Sequence, residues 1–331
     1  MVEKKETVKL LRADPFNYLK RSWMLYLMLL LPITFFIIFR YIPMTNIVIA
    51  FKNYNLFQGV WASANPVCQG HETGVHITGC SHWVGFDWFR TAFASRDFWN
   101  AIRNTLWLNF LDLLFGFPAP IILALILNEL IFKKFKKITQ TIIYLPHFLS
   151  WIIVSSIASR LLATSTGVVN IFLSENMGIQ PIDFLMDKSN WVATYITFGV
   201  WKEMGWGTII YLAAITGINP ELYEAAEVDG AGRWRKLWNV TLPGIRPTII
   251  VLLIMNIGRI LGIELDRPWT MMNSIVREVA DVISTLVYRV GIQSFQFSLT
   301  AAIGLFQSVI CVVFLIGANT LAKKFGERGI W

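Results

Sequence analysis

Six stretches of this 331-residue chain stay apolar for the length of a membrane crossing, and this limits its fold more than any other feature. They run over Ser22–Ile42, Asn104–Leu127, Ile138–Leu162, Trp191–Leu212, Thr248–Leu265 and Leu299–Leu321. A hydrocarbon core of about 30 Å takes about 20 helical residues at 1.5 Å each. No water reaches the backbone there, so only helices and closed barrels satisfy their own amides. The runs are continuous rather than alternating, which selects helices. Composition agrees. Only 15% of the residues are charged, against about 25% in soluble domains. The expected fold is an all-α polytopic membrane protein with six transmembrane helices.

Lysine and arginine set the expected orientation, since short connections rich in them stay on the cytoplasmic side. The N-terminal tail, the second-to-third connection, the fourth-to-fifth connection and the C-terminal tail carry 17 of them. The other three connections carry 8, spread over longer loops. Both termini are therefore expected in the cytoplasm, in a multi-pass protein of the cytoplasmic (inner) membrane. The net charge of +8 does not point to nucleic acid, because the basic residues cluster at the ends of apolar runs. The first run is too long for the apolar part of a cleaved signal. The chain divides into a cytoplasmic tail (1–21), a first helix with a long external loop (22–103), and a five-helix core (104–331).

The fourth-to-fifth connection, 219–247, carries the chemistry of the class. Asn219-Pro220 suits a helix start, with Asn as cap and Pro in the first turn. Leu222 to Val228 has helical composition. Gly230 can end that helix in the left-handed conformation. Arg233 to Val240 forms a second short helix with Trp234 and Trp238 on one face, and Pro243 is expected to stop it. The result is a helix-turn-helix along the membrane surface.

Glu224-Ala225-Ala226, three residues, Gly230, nine residues, then Val240-Thr241-Leu242-Pro243 resembles the docking loop of permease subunits in binding-protein-dependent ABC importers. Val240 in place of Ile is the one departure. The segment Arg21–Trp61 and the stretch Asp281–Gln293 resemble the branch that imports complex oligosaccharides and uronate sugars, including alginate and pectin fragments. The resemblance implies an importer type I permease fold with cytoplasmic coupling helices. Glu224 would be the charged ATPase contact, Ala225 and Ala226 would permit close approach, Gly230 the turn, and Leu242 and Pro243 would close the motif. It also implies partners: a second homologous permease, two ATPase subunits holding ATP and Mg, and an extracytoplasmic solute-binding protein. The other partners are membrane lipid and the oligosaccharide. No cofactor is expected in this chain. An amphipathic helix resting on lipid is the plainer reading of the same loop.

A charge at the bilayer centre costs about 2.5–3.5 kcal/mol, so each needs a buried partner or an aqueous path. Asp112 falls in the second run, Lys202 and Glu203 in the fourth, Arg259 in the fifth, with Glu264 and Asp266 near its outer end. Ion pairing between helices accounts for such groups; so does a polar translocation path. A sugar path would use Asn109, Asp112, Glu203 and Asn256 as hydrogen-bonding groups and Trp201, Trp206 and Tyr211 as faces. Arg259 would meet a uronate carboxylate through its fork. Gly258-x-x-x-Gly262 suggests close helix packing. His147, after Pro146, reads as a buried, hydrogen-bonded histidine beside a kink.

Cys68 and Cys80 lie in an external insertion with His71, His76 and His82 nearby. A disulfide, a zinc cluster of unusual spacing, and no bond at all remain open. No phosphate-binding G-x-x-x-x-G-K-[ST] occurs, so ATP must be held by another chain. No H-E-x-x-H, G-x-S-x-G or paired-carboxylate signature points to a membrane enzyme. No inverted repeat points to a secondary transporter. An importer for a neutral sugar or another small solute is the nearer alternative.

Overall fold

The computed structural model describes residues 22–54, 56, 59–60, 81–326 and 329–330. Cys68, Cys80, His71 and His76 lie outside the described residues, as does the tail before residue 22. Two compact units divide between Phe86 and Asp87, somewhat earlier than the boundary at 103/104 expected from the sequence. Regular structure is helical; strand-like pairing among the described residues is a single bridge between Lys52 and Trp83.

The first unit holds one long helix, α1 (Trp23–Phe51), with none of its most apolar stretch buried inside the protein. Its side chains are those of a lipid-facing span. Beyond it the chain doubles back: Asn53 N–H donates to the His82 carbonyl at 2.8 Å, and Val84 N–H to the Phe51 carbonyl at 2.9 Å. The buried Lys52 ammonium donates to the Val60 carbonyl at 2.9 Å.

The second unit begins with α2 (Asp87–Ala94) and α3 (Arg96–Asn128). Two helices follow, α4 (Lys133–Phe148) and α5 (Trp151–Leu162), bent by 101° at the break between them. Next come α6 (Val168–Met177), α7 (Lys188–Thr216), α8 (Pro220–Val228) and α9 (Arg233–Ile257). Short helices α10 (Asp266–Met271), α11 (Arg277–Ala280) and α12 (Ile283–Val287) lead to α13 (Phe297–Lys324).

Four helices among the described residues, α1, α3, α9 and α13, are long and apolar enough to cross a membrane, and the bent α4–α5 pair makes a fifth. The expected count of six spans is not reached on that measure. α7 has the length, about 43 Å for its 29 residues. Its Lys202–Glu203 pair at mid-length lowers its apolarity. The third run, expected as one span kinked at Pro146, breaks outright because Pro146 cannot donate and Ser150 caps a new helix, its Oγ accepting from Ile153 N–H. The fifth run ends eight residues early, at Ile257. Gly258 and Gly262 therefore lie in a turn, not on a helix face as expected; a Cβ at Gly258 would come within 2.6 Å of Leu315.

Pro243 does not stop the helix that begins at Arg233. A wide π turn over Leu237–Thr241 absorbs it, and the helix runs on into the span. The same device recurs. Wide turns at Ile37–Tyr41 and Asp112–Gly116 precede Pro43 and Pro118 by the same two residues. A proline in a regular helix loses one hydrogen bond and its ring strikes the carbonyl four residues back. The extra residue of a π turn moves that carbonyl aside, so an apolar helix passes a proline without leaving its backbone unsatisfied in lipid.

The core is built around α7. Trp191, Tyr195 and Ile196 pack with Leu108 of α3 and with Met271 and Val282 beyond α9. Nearer its C-terminal end, Tyr211 and Ile215 pack on Ala124 and Ile245. Glycines set the helix spacing: a Cβ at Gly205 would strike the Ile143 carbonyl, and one at Gly207 would lie 2.9 Å from Pro120. Gly205→Val should force α4 from α7 and cost about 1–3 kcal/mol. A lowered unfolding midpoint in detergent is the expected result, and an unchanged midpoint would show that this contact is not limiting.

Candidate translocation site and docking loop

A polar chamber lies between α3, α7, the turn after α9 and the start of α10. It forms two adjoining cavities of about 400 and 540 Å³ whose linings share Asn109, Asp112, Glu203 and Arg267. Arg267 is the central cation. Its Nη1 donates to Asp112 Oδ2 at 2.7 Å, and its Nη2 to Asp112 Oδ1 at 3.1 Å. The same Nη2 donates to the Tyr195 carbonyl at 2.7 Å. A helix carbonyl is normally shielded by the side chain four residues on, and here that residue is Gly199; a Cβ there would strike the guanidinium. The guanidinium lies 3.7 Å from the Tyr195 ring centroid and 5.3 Å from that of Trp151. A planar, weakly hydrated cation suits such an aromatic slot.

A second ionic group sits on α7. Lys202 is buried and donates to the His147 carbonyl at 2.9 Å and to Glu203 Oε1 at 3.1 Å. His147 Nδ1 and Glu203 Oε2 are 2.9 Å apart. The His147 ring stacks on Trp206 with centroids 4.6 Å apart and planes within 4°. The break between α4 and α5 is thus fastened to mid-α7, and its freed carbonyl at His147 is satisfied by an ammonium.

The structure brings together most of the residues expected on a path. Asn109 Nδ2 donates to the Ile260 carbonyl at 2.6 Å, which fixes the turn after α9. Asn256 donates to the Leu252 carbonyl at 2.8 Å. Trp206 and Tyr211 line the smaller cavity. Trp201 does not line it: it lies on the other side of α7, edge-on to Phe198 at 6.0 Å. Arg259 sits past the helix end rather than inside the span, exposed, lining a side pocket of about 210 Å³ with Asn109, Asp112 and Asn256. It makes no ion pair or hydrogen bond with the described side chains. Arg267 was not among the expected site residues, because sequence counting assigns it to an external loop. The signal that could have found it is the uncompensated Asp112, which demanded a cation from elsewhere in the chain.

The docking loop takes the expected local form up to its second helix. Asn219 Oδ1 accepts from Glu221 N–H at 3.1 Å and caps α8. Gly230 has φ +70°. Its N–H donates to Glu227 O at 3.0 Å, and Ala231 N–H reaches back to Ala226 O at 2.8 Å, the paired closure that a left-handed glycine allows. Lys236 Nζ donates to Glu227 Oε1 at 2.6 Å, and Tyr223 OH meets Thr241 Oγ1 at 3.0 Å, tying α8 to α9. Glu224, Ala225 and Gly230 are exposed and Ala226 is half-buried; Leu242 is half-buried and Pro243 exposed. Val228 at 88% and Trp234 at 77% exposure, with Leu222 and Trp238 also exposed, give this elbow an apolar surface uncovered among the described residues.

Residues 98–327 match the family described as binding-protein-dependent transport system inner membrane component, and the chain belongs to that family. It is a multi-pass permease component of a binding-protein-dependent ABC importer, not an enzyme. It is 45% identical to Protein LplB of Bacillus subtilis (strain 168), over 95% of this chain and 92% of that one. It is 42% identical to the polygalacturonan/rhamnogalacturonan transport system permease protein YteP of the same organism, over 93% and 90%. In structure it is similar to a chain of a bacterial alginate ABC transporter solved with an alginate pentasaccharide-bound periplasmic protein. That match has a TM-score of 0.80 and 41% identity, and covers 95% of this chain and 99% of that one.

The Glu227 carboxyl is held below its ordinary value of 4.5 by the Lys236 hydrogen bond and then by that ammonium's charge. A carboxyl lowered in the folded state adds stability that is present above its unfolded value and lost as pH falls through the folded one. The elbow between α8 and α9 should therefore hold steady near neutral pH and loosen in acid below the ordinary glutamate range. Hydrogen exchange at Gly232 and Lys236 should rise there, and Glu227→Gln should remove that transition.

Proposed function

We propose that this permease passes acidic oligosaccharides, and that it is driven through Glu221–Pro243 by separate ATPase subunits. The observation that carries the substrate reading is Arg259. It is a guanidinium without an ionic partner among the described residues, set beside the amides Asn109 and Asn256 on the polar chamber. Such a fork takes a carboxylate in two parallel hydrogen bonds. Two similar proteins belong to transport systems for polygalacturonan/rhamnogalacturonan and for the acidic polysaccharide alginate, which supports the same choice.

The assembly would hold this chain, a second homologous permease, two ATPase subunits with ATP and Mg, and an extracytoplasmic binding protein that delivers the sugar. The lysine and arginine asymmetry supports a cytoplasmic position for both termini and the docking loop. Residues 104–331 form the transport core, and 22–103 an added helix and external loop. Glu224, with Ala225 and Ala226 beside it, would seat in the ATPase, and Gly230 would keep the turn. The rigid link from α8 through Lys236 and Thr241 into α9 would carry the stroke to the chamber. ATP-driven closure of the ATPases would then turn the chamber outward, and release would turn it inward.

Two measurements on the complete complex in liposomes test this. Glu224→Lys with Gly230→Pro should leave the chain in the membrane and abolish the stimulation of ATP hydrolysis by loaded binding protein. Stimulation at the wild-type level would refute the docking role. Arg259→Gln should lower uptake of an oligogalacturonide tetramer by about tenfold or more, as for loss of a charge-assisted contact, and spare its fully methyl-esterified form. Equal loss for both forms would argue against a carboxylate contact and favour a neutral solute.

A further inference from the structure

The two cavities are arranged along the membrane-crossing direction. Residue numbers rise along α3 and α7, and fall along α9, toward the docking loop. The smaller cavity reaches Pro120, Tyr211 and Leu252, on the docking-loop side. The larger reaches Ser150, Glu264 and Asp266, on the far side. Asp112 and Arg267 stand in the wall that both share. With Asn109 and Glu203, the pair stands at the boundary between the two cavities.

The pair is built to hold and also to exchange. Arg267 is gripped from three sides, by the Tyr195 carbonyl and by the rings of Tyr195 and Trp151, so its position does not depend on Asp112 alone. Asp112 begins the wide π turn of α3, a local departure from the regular helix of a kind frequent at functional sites. Arg267 Nε is buried without a hydrogen-bond partner, so the cation is not saturated by the groups around it. A cation held independently of its carboxylate and not saturated by it is an arrangement in which a second carboxylate can replace the first.

We propose that the Asp112–Arg267 pair is a gate between the far chamber and the docking-loop chamber, opened when a solute carboxylate displaces Asp112 from Arg267. This makes passage itself selective for acidic sugars, beyond any choice made at Arg259 or by the binding protein. The carboxylate exchange rests on the acidic-oligosaccharide reading; the gate itself does not.

The test uses the complete reconstituted complex with the oligogalacturonide tetramer and its methyl-esterified form. Asp112→Asn removes the charge and keeps the shape. It should raise ATP hydrolysis without solute by about fivefold or more, the lower range of an ordinary coupling between sites. It should also raise uptake of the ester relative to the acid. If Asp112→Asn lowers thermal stability but leaves basal hydrolysis and the acid-to-ester ratio unchanged, the pair is a structural tie and the proposal fails. If wild type carries both tetramers equally, the exchange and the acidic reading fail together, while raised basal hydrolysis in Asp112→Asn would still identify the gate. Should Asp112→Asn not assemble, Arg267→Lys alone, which keeps the charge and loses the fork, decides on the same two readouts.

Discussion

One guanidinium joins three parts of the core that are far apart in the chain. Arg267 opens the region after α9, Asp112 lies on α3, and Tyr195 on α7. Charges of this kind are costly in a membrane, and a buried pair left with one member is strongly destabilised, by about 3–5 kcal/mol. Its geometry therefore depends on everything that shapes the slot. Gly199 must lack a side chain, Trp151 must follow the break between α4 and α5, and α3 must widen at Asp112. The chamber's walls are the surfaces left by meeting these conditions.

The break after Pro146 belongs to the same scheme. It turns α5 by 101° from α4 and delivers Trp151 to the guanidinium. Its loosened backbone needs a donor, and Lys202 supplies one through the His147 carbonyl. Irregular backbone at membrane depth is tolerated where it lines a polar cavity, and that is where it falls. The charged pair on α7 that costs apolarity in the span is the group that fastens the break.

Prolines show where reading from sequence fails in a regular way. Pro243 is an ordinary helix-stopping signal, yet α9 runs through it from the docking loop into the span. The wide turn placed ahead of it, as ahead of Pro43 and Pro118, needs a partner-free carbonyl and room on one helix face. Both are properties of packing, not of the local sequence. The consequence is mechanical: the docking elbow and the chamber wall at Asn256 share one continuous helix, with no flexible joint of the kind a stopped helix would leave.

The class of fold was legible because backbone hydrogen bonding in lipid admits so few solutions. Length and apolarity of the runs indicated helices. The spacing from Glu224 to Pro243 marked a candidate docking loop, and Gly230 does take the left-handed turn its position required. Those are local properties, fixed by hydrophobicity and by allowed backbone angles. Which charge meets which is not local. Asp112 could have paired with Lys202 or Arg259 on sequence grounds. Only the folded helices bring Arg267 to it, from 155 positions further along the chain. Trp201 and Trp206 look equivalent until the rotation of α7 turns one away from the chamber and the other into it. Periodicity names the faces of a helix, but the packing of its neighbours decides which face a solute would see.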